Sequence, residues 1–251
     1  MECTPGAGGP FAIEMEPTGP ALDKGLMAST TFGSTLPDAD QHALASAASP
    51  PRGDTVRVAV STADRLAAFR LRYRAYVIEQ GRLLTEADHE RQLLFDELDD
   101  EGDILIVEAG GKIRGTLRAN LLSSAITRTL YREIFDLDRF SGVAPGEMAV
   151  CSRLALSREG ARHHRLAQML LFRAMYARGL VHKVRLCFAP CPAALLPTLL
   201  RYGFREFAAP IRDLRQASFL HRTLLMMDDI DYLQKIGSPL LSVANQSAAS
   251  A

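Results

Sequence analysis

The stretch 103–120 constrains the chain more than any other. Two strand-like runs, Asp103-Ile104-Leu105-Ile106-Val107-Glu108-Ala109 and Lys112-Ile113-Arg114-Gly115-Thr116-Leu117-Arg118-Ala119-Asn120, are joined by Gly110-Gly111. A two-residue hairpin turn needs positive φ at its central residues, and glycine adopts it without a steric penalty, so the spacing predicts a β-hairpin. Around it, 56–60 alternates as a strand, Ser61 and Asp64 mark a helix start, and 65–80 is an amphipathic helical run. Further along, 127–140 reads as a helix and 147–156 as a strand. Residues 162–178 read as a helix because Leu166, Met169, Leu170, Arg173 and Tyr176 keep near-helical spacing. Residues 184–189 read as a strand, 192–202 as a short helix, 203–207 as a turn into a final strand, and 219–236 as one more helix. There is no internal repeat, and the pattern is mixed α/β.

Composition bounds where this fold begins. Residues 1–53 hold seven of the 13 prolines and seven of the 18 glycines, with Lys24 and Arg52 as their only basic residues. Such a segment buries too little apolar surface to offset the entropy of ordering it, and it reads as a disordered or loosely ordered tail. The expected domain is therefore 54–242, with 243–251, small and polar, as a disordered C-terminal tail. Lys+Arg and Asp+Glu are both 29, so no bulk attraction to nucleic acid or an anionic membrane is expected. No apolar run is long enough to span a bilayer, and the first residues lack the basic start and apolar stretch of a secretory signal, so a cytoplasmic location is expected.

Several chemistries are disfavoured by what the residues lack. There is no nucleophile elbow, dinucleotide loop or Walker sequence. Cys3, Cys151, Cys187 and Cys191 form no Cys-x-x-Cys pair, and no tightly bound cofactor or metal is indicated; the adjacent His163 and His164 point to different helix faces. Buried packing is the better reading for the cysteines, with Cys191, between a strand end and Pro192, the most accessible of them. Met169, Met175, Met226 and Met227, with Leu195, Leu196, Leu199 and Leu200, read as core packing before an acyl-chain tunnel. Arg118 and Arg153 stand out, because an arginine in an otherwise apolar strand is costly unless paired.

The order of elements, with Tyr202-Gly203-Phe204 after the short helix, resembles the GNAT acyltransferase superfamily over 54–225. Within it, Leu71-Arg72-Tyr73-Arg74-Ala75-Tyr76-Val77 resembles the first helix of acyl-homoserine-lactone autoinducer synthases and of bacterial N-acyl amino acid synthases. Phe95-Asp96-Glu97-Leu98-Asp99, Gly115-Thr116-Leu117-Arg118 and Ser152-Arg153-Leu154-Ala155-Leu156 follow in the same order. The resemblance implies a mixed, mainly antiparallel central sheet flanked by helices. It also implies transfer of a fatty acyl group from acyl carrier protein, or acyl-CoA, to the amine of an amino acid or similar small molecule. By motif position Arg72, Tyr76 and Arg118 contact substrate, Asp96 and Asp99 are the acidic pair, and Arg153 is the arginine after the motif serine.

Two departures matter. The autoinducer enzymes carry a glutamate three residues before the last arginine, where this chain has Val150; the nearest carboxylate, Glu147, needs a bulge or a changed register to take over. Acetyl-CoA-using members carry a glycine-rich pyrophosphate loop, and the aligned stretch here is Arg162-His163-His164-Arg165-Leu166-Ala167. A basic cluster of Arg158, Arg162, His163 and Arg165 suits the acidic surface and single phosphate of acyl carrier protein better. Asp96, Asp99 and Glu147 are the candidate proton acceptors, Arg72, Arg118 and Arg153 the candidate carboxylate clamps, and backbone N–H groups around 154–156 the candidate oxyanion donors. The leading expectation is an N-acyl amino acid synthase. The alternatives are an autoinducer synthase, which the absence of tryptophan disfavours, an acetyl-CoA-dependent acetyltransferase, and a noncatalytic acyl-carrier-binding module.

Overall fold

A computed structural model describes residues 54–213 and 218–249; the tail expected over 1–53 lies outside them. In chain order the elements are β1 (Asp54–Val58), α1 (Thr62–Tyr73), β2 (Ala87–Asp88), β3 (Leu93–Leu94), β4 (Asp103–Ala109), β5 (Lys112–Leu121), α2 (Ala125–Phe135) and β6 (Met148–Leu156). They continue as α3 (Ala161–Val181), β7 (Leu186–Pro192), α4 (Leu196–Tyr202), β8 (Arg205–Asp213), β9 (Ser218–Met226), α5 (Ile230–Lys235) and α6 (Leu241–Ala249). Seven strands form one sheet in the order β1-β4-β5-β6-β7-β9-β8, antiparallel except at β6–β7, and β2 pairs only with β3.

The central hairpin is the one expected: Gly110 and Gly111 have φ of 59° and 70° and join β4 to β5. Strand alternation then sorts side chains between two helical layers. Leu105, Val107, Leu117, Cys151, Cys187 and Leu225 pack with α3, α4 and α6 in one core cluster. Ile104, Ile106, Val150, Phe188 and Leu224 pack with α1 and α2 in clusters on the other face.

Besides the helix expected over 65–80, whose regular part ends at Tyr73, four expected elements differ. The helix expected over 219–236 is strand β9 followed by the short α5, which Asp229 caps by accepting from the Tyr232 N–H at 3.1 Å. The strand lies between β7 and β8 and is covered on both faces, Leu224 in one cluster and Leu225 in the other, so its apolar residues carry no alternation. The helix expected over 127–140 ends at Phe135, because Asp136 turns left-handed with φ 51°, and a 3₁₀ turn, Leu137–Phe140, follows. Pro192 belongs to β7, opposite Leu220, so α4 starts four residues later than expected. The C-terminal tail expected over 243–251 is, where described, the helix α6. Leu240, Val243 and Ala244, at helical spacing, are buried in the core with α3.

Candidate active site

One face of β5 is unusually polar for a central strand. Thr116, Arg118 and Asn120 point to the α1 and α2 layer and are all buried, while Leu117 between them joins the opposite core. Burying a guanidinium there is tolerated only with partners, and the chain supplies them from a 3₁₀ turn, Glu97–Asp99, that precedes β4. Asn120 holds this turn by donating from Nδ2 to the Leu98 carbonyl at 2.8 Å. The Asp96 carboxylate accepts from the Leu98 N–H at 3.0 Å, and Asp99 Oδ2 accepts from the Asp96 N–H at 2.9 Å. The reciprocal capping fixes both carboxylates before any guanidinium meets them.

Three arginines from three elements then converge on the turn. Arg72 of α1 donates from Nη1 to Asp99 Oδ1 at 2.6 Å. Arg118 of β5 places Nη1 3.2 Å from Asp99 Oδ1, donates from Nη1 to Asp96, and donates from Nε to Ser152 Oγ at 3.2 Å. Arg153 of β6 donates from Nη2 to Asp96 Oδ2 at 2.5 Å and to Glu86 Oε1 at 2.8 Å. These contacts join three guanidiniums to three carboxylates, and the Arg82 guanidinium stacks on the Tyr76 ring beside them, 4.6 Å from its centroid. Burial works against the charge of Arg118 and Arg153, but Asp99 and Asp96 for the first, and Asp96 and Glu86 for the second, outweigh it and hold both above the ordinary arginine value. Burial also opposes the charge of Asp96, yet Arg118 and Arg153 prevail and keep its carboxyl below the usual range. Arg72 differs: burial, only partly opposed by Asp99, moves it below its ordinary value, and its Nε and Nη2 find no hydrogen-bond partner.

Backbone geometry opens this cluster toward the sheet. The β5–β6 register passes from Thr116↔Ala155 to Arg118↔Ser152, so Arg153 and Leu154 together stand opposite Leu117. This is a β-bulge, and Arg153 within it has φ 56°, a conformation that costs a non-glycine residue about 1 kcal/mol or more. On its other side β6 pairs with β7 only from Met148↔Leu186 to Val150↔Phe188, although β6 continues to Leu156 and β7 to Pro192. The strands part there, and Arg153 lies where they do. Tyr76 closes the same region: a π-turn, Arg74–Ile78, ends α1 where a straight helix to residue 80 is expected. The Tyr76 hydroxyl donates to the Leu154 carbonyl at 2.8 Å, and burial raises its pKa.

Of the expected site residues, Arg72, Tyr76, Asp96, Asp99, Arg118 and Arg153 come together, and Glu147 does not. Glu147 sits in a 3₁₀ turn before β6, where its side chain accepts from the Ala144 N–H at 3.2 Å. The bulge that was needed to bring it inward lies at the far end of the strand. Glu86, which no motif marked, takes a place beside Arg153 instead. The basic cluster lies at the start of α3. Arg158 pairs with Glu79 at 2.9 Å, and Arg162, His163 and Arg165 are exposed. Arg165 stands in the second turn of α3 rather than in a phosphate loop, the helix being entered through Gly160 with φ 80°. Cys191, expected to be the accessible thiol, is buried, and burial pushes it up to about 12; it is a core residue, not a nucleophile. Among the described residues no group of three or more His, Cys, Asp or Glu is placed to hold a metal ion, and no helix is long and apolar enough to cross a membrane.

A family model described as N-acyl amino acid synthase FeeM matches residues 67–225. The structure of FeeM, an N-acyl amino acid synthase from uncultured soil microbes, superposes with a TM-score of 0.57 at 15% identity, covering 72% of this chain and 96% of that one. The CoA-dependent acyl-homoserine lactone synthase BjaI gives 0.55 at 18% identity, covering 78% and 99%, and the AHL synthase LasI gives 0.54 at 12%, covering 70% and 90%. No curated protein sequence matches.

Proposed function

Because the chain belongs to the N-acyl amino acid synthase FeeM family and is an N-acyltransferase, we propose that it moves a long-chain fatty acyl group from an acyl carrier protein thioester to the amine of an amino acid. The observation that carries this reading is the ion-paired cluster of Arg72, Arg118 and Arg153 with Asp96, Asp99 and Glu86, set where β6 leaves β7. An amino acid is a zwitterion, and it enters such a cluster by exchanging partners without changing the net charge. Its carboxylate takes the Arg153 guanidinium and its ammonium takes Asp96.

That exchange also prepares the chemistry. Asp96 is a weak proton acceptor while two guanidiniums hold it. When the acceptor's carboxylate draws on Arg153, Asp96 loses part of that stabilisation and becomes more basic as the ammonium arrives beside it. The freed amine attacks the thioester carbonyl, a C–N bond forms, and the C–S bond breaks. Asp96 passes the ammonium's first proton to solvent, and the pantetheine thiolate leaves and takes up the second proton, which the attacking nitrogen sheds as the C–S bond breaks. In this reading the bulge peptide left out of the ladder at 153–154 donates its N–H to the oxyanion. The exposed Arg158, Arg162, His163 and Arg165 are proposed to receive the acidic carrier, with the pantetheine arm passing between β6 and β7.

The test is mass spectrometry of lipid extracts from cells expressing the protein, compared with an empty vector and with Arg153→Ala. Purified protein is then offered acyl carrier protein, long-chain CoA and acetyl-CoA donors. N-acyl amino acids formed only with intact protein and a long-chain carrier donor support the reading. Homoserine lactones, transfer from acetyl-CoA alone, or retention of the carrier without turnover each replace it with one of its rivals.

A further inference from the structure

Arg153 is held by two carboxylates from two separate pieces of chain. Asp96 caps the 3₁₀ turn, and Glu86 stands immediately before β2, in the β2–β3 hairpin that joins no other strand. Both accept from the same nitrogen, Nη2, at 2.5 and 2.8 Å, so the remaining donors of the planar fork are directed by where these two carboxylates sit. The Glu86 side chain is largely buried and also accepts from Thr85 Oγ1 at 3.4 Å. The backbone of Arg153 is itself set by the bulge, with φ 56°. Asp96 also holds Arg118, and Glu86 reaches Arg153 from a different piece of chain.

We propose that Glu86 is a positioning residue for acyl transfer, orienting the Arg153 guanidinium so that its remaining N–H donors meet the acceptor's carboxylate. The inference rests on the function proposed above and extends it, because it makes the β2–β3 hairpin part of the acceptor site. Asp96 has a second task in the reaction, to receive the ammonium. An anchor that takes no part in the proton transfer keeps Arg153 aligned while Asp96 changes partners.

Two measurements on the full-length protein decide it. In steady-state kinetics with acyl carrier protein and the amino acid acceptor, Glu86→Gln is expected to raise the acceptor KM by about tenfold or more, a loss of the size a coupled ion pair supports, while the donor KM holds. Glu86→Asp is expected to recover part of the loss, and Glu90→Gln, on an exposed residue of the same hairpin, to behave as wild type. Adding Glu86→Gln to Arg153→Lys, which keeps a cation and residual turnover, is expected to cost nothing further, because the first residue acts through the second. Additive losses, or a donor KM that moves as much as the acceptor KM, overturn the proposal. The second measurement needs no turnover: arginine side-chain ¹⁵N NMR, with the resonance assigned through Arg153→Lys. Slowly exchanging Arg153 guanidinium protons that become averaged in Glu86→Gln support the proposal, and an unchanged spectrum overturns it. If no donor and amine pair is turned over, the proposed function fails by itself, and the spectrum still decides whether Glu86 pins Arg153.

Discussion

Arg72 and Asp99 lie 2.6 Å apart with almost no solvent access, and their pairing shows how this site trades stability for arrangement. Two buried charges cost much of what their attraction returns, but removing one partner strands the other. Asp99→Ala is therefore expected to destabilise the fold by about 3–5 kcal/mol in urea unfolding, whereas Arg72→Met with Asp99→Leu recovers only part of that, because the Asp96 N–H and Arg118 still lose Asp99. A single substitution with a wild-type midpoint would mean the pair is hydrated in solution. Asp96 carries a pH prediction. Its folded pKa lies below its unfolded value, so its contribution to stability is complete above the unfolded carboxyl range, near pH 4, and is lost as pH falls through the folded pKa. Thermal melts taken from about pH 6 to pH 3 should show a steeper acid loss in wild type than in Asp96→Asn, and equal slopes would mean that the two guanidiniums do not hold the carboxylate. Arg118 and Arg153 were legible in the sequence because an arginine within an apolar strand demands a partner. Glu86 was not, since it meets Arg153 across 67 residues and only the folded hairpin brings them together.

Elements were legible where one physical signal dominated. Two glycines between strand-forming runs gave the β4–β5 hairpin, and helical spacing gave α3. The reading failed where burial on both faces erased periodicity, as in β9, and where small residues concealed a buried stripe, as in α6. The π-turn after α1 has no signal in the local sequence; it goes with a long-range contact, the Tyr76 hydroxyl on the Leu154 carbonyl of the bulged strand. Gly203 is the most exacting position at an element boundary. It caps α4 with φ 107°, and a Cβ there would lie 2.4 Å from Leu233 Cδ2 of α5, itself fully buried. Strain and overlap act together, so Gly203→Ala is expected to cost about 2 kcal/mol or more. Gly142→Ala, with nothing within 4 Å of the added carbon, is the control and should stay within about 0.5 kcal/mol of wild type. Equal unfolding midpoints for the two variants would show that α4 and α5 do not pack as closely as described.

The whole chain has no net charge, so the carrier docking proposed above cannot rest on long-range attraction. What remains is local: Arg158, Arg162, His163 and Arg165 at the start of α3, close to the parting of β6 and β7. Part of this surface is already compensated, since Arg158 pairs with Glu79, and Glu159 beside it pairs with Arg114. The attraction should therefore be moderate and short in range. It is screened over a Debye length of about 10 Å at 0.1 M salt, which makes ionic strength the appropriate probe. With acyl carrier protein as donor, wild-type kcat/KM is expected to fall as salt is raised. Arg158→Glu with Arg162→Glu and Arg165→Glu should lower it at low salt and flatten that dependence, because the surface then repels the acidic carrier. A small CoA donor meets fewer of these side chains, so the same variant should lose less with it. These exposed positions lie outside the core, and the thermal midpoint should fall only modestly, by the Arg158–Glu79 pair that is lost, with Arg162→Glu and Arg165→Glu alone near wild type, separating docking from folding. Equal carrier-dependent rates for the two proteins at low salt would remove the carrier from this surface and leave the acyl group to arrive by another face.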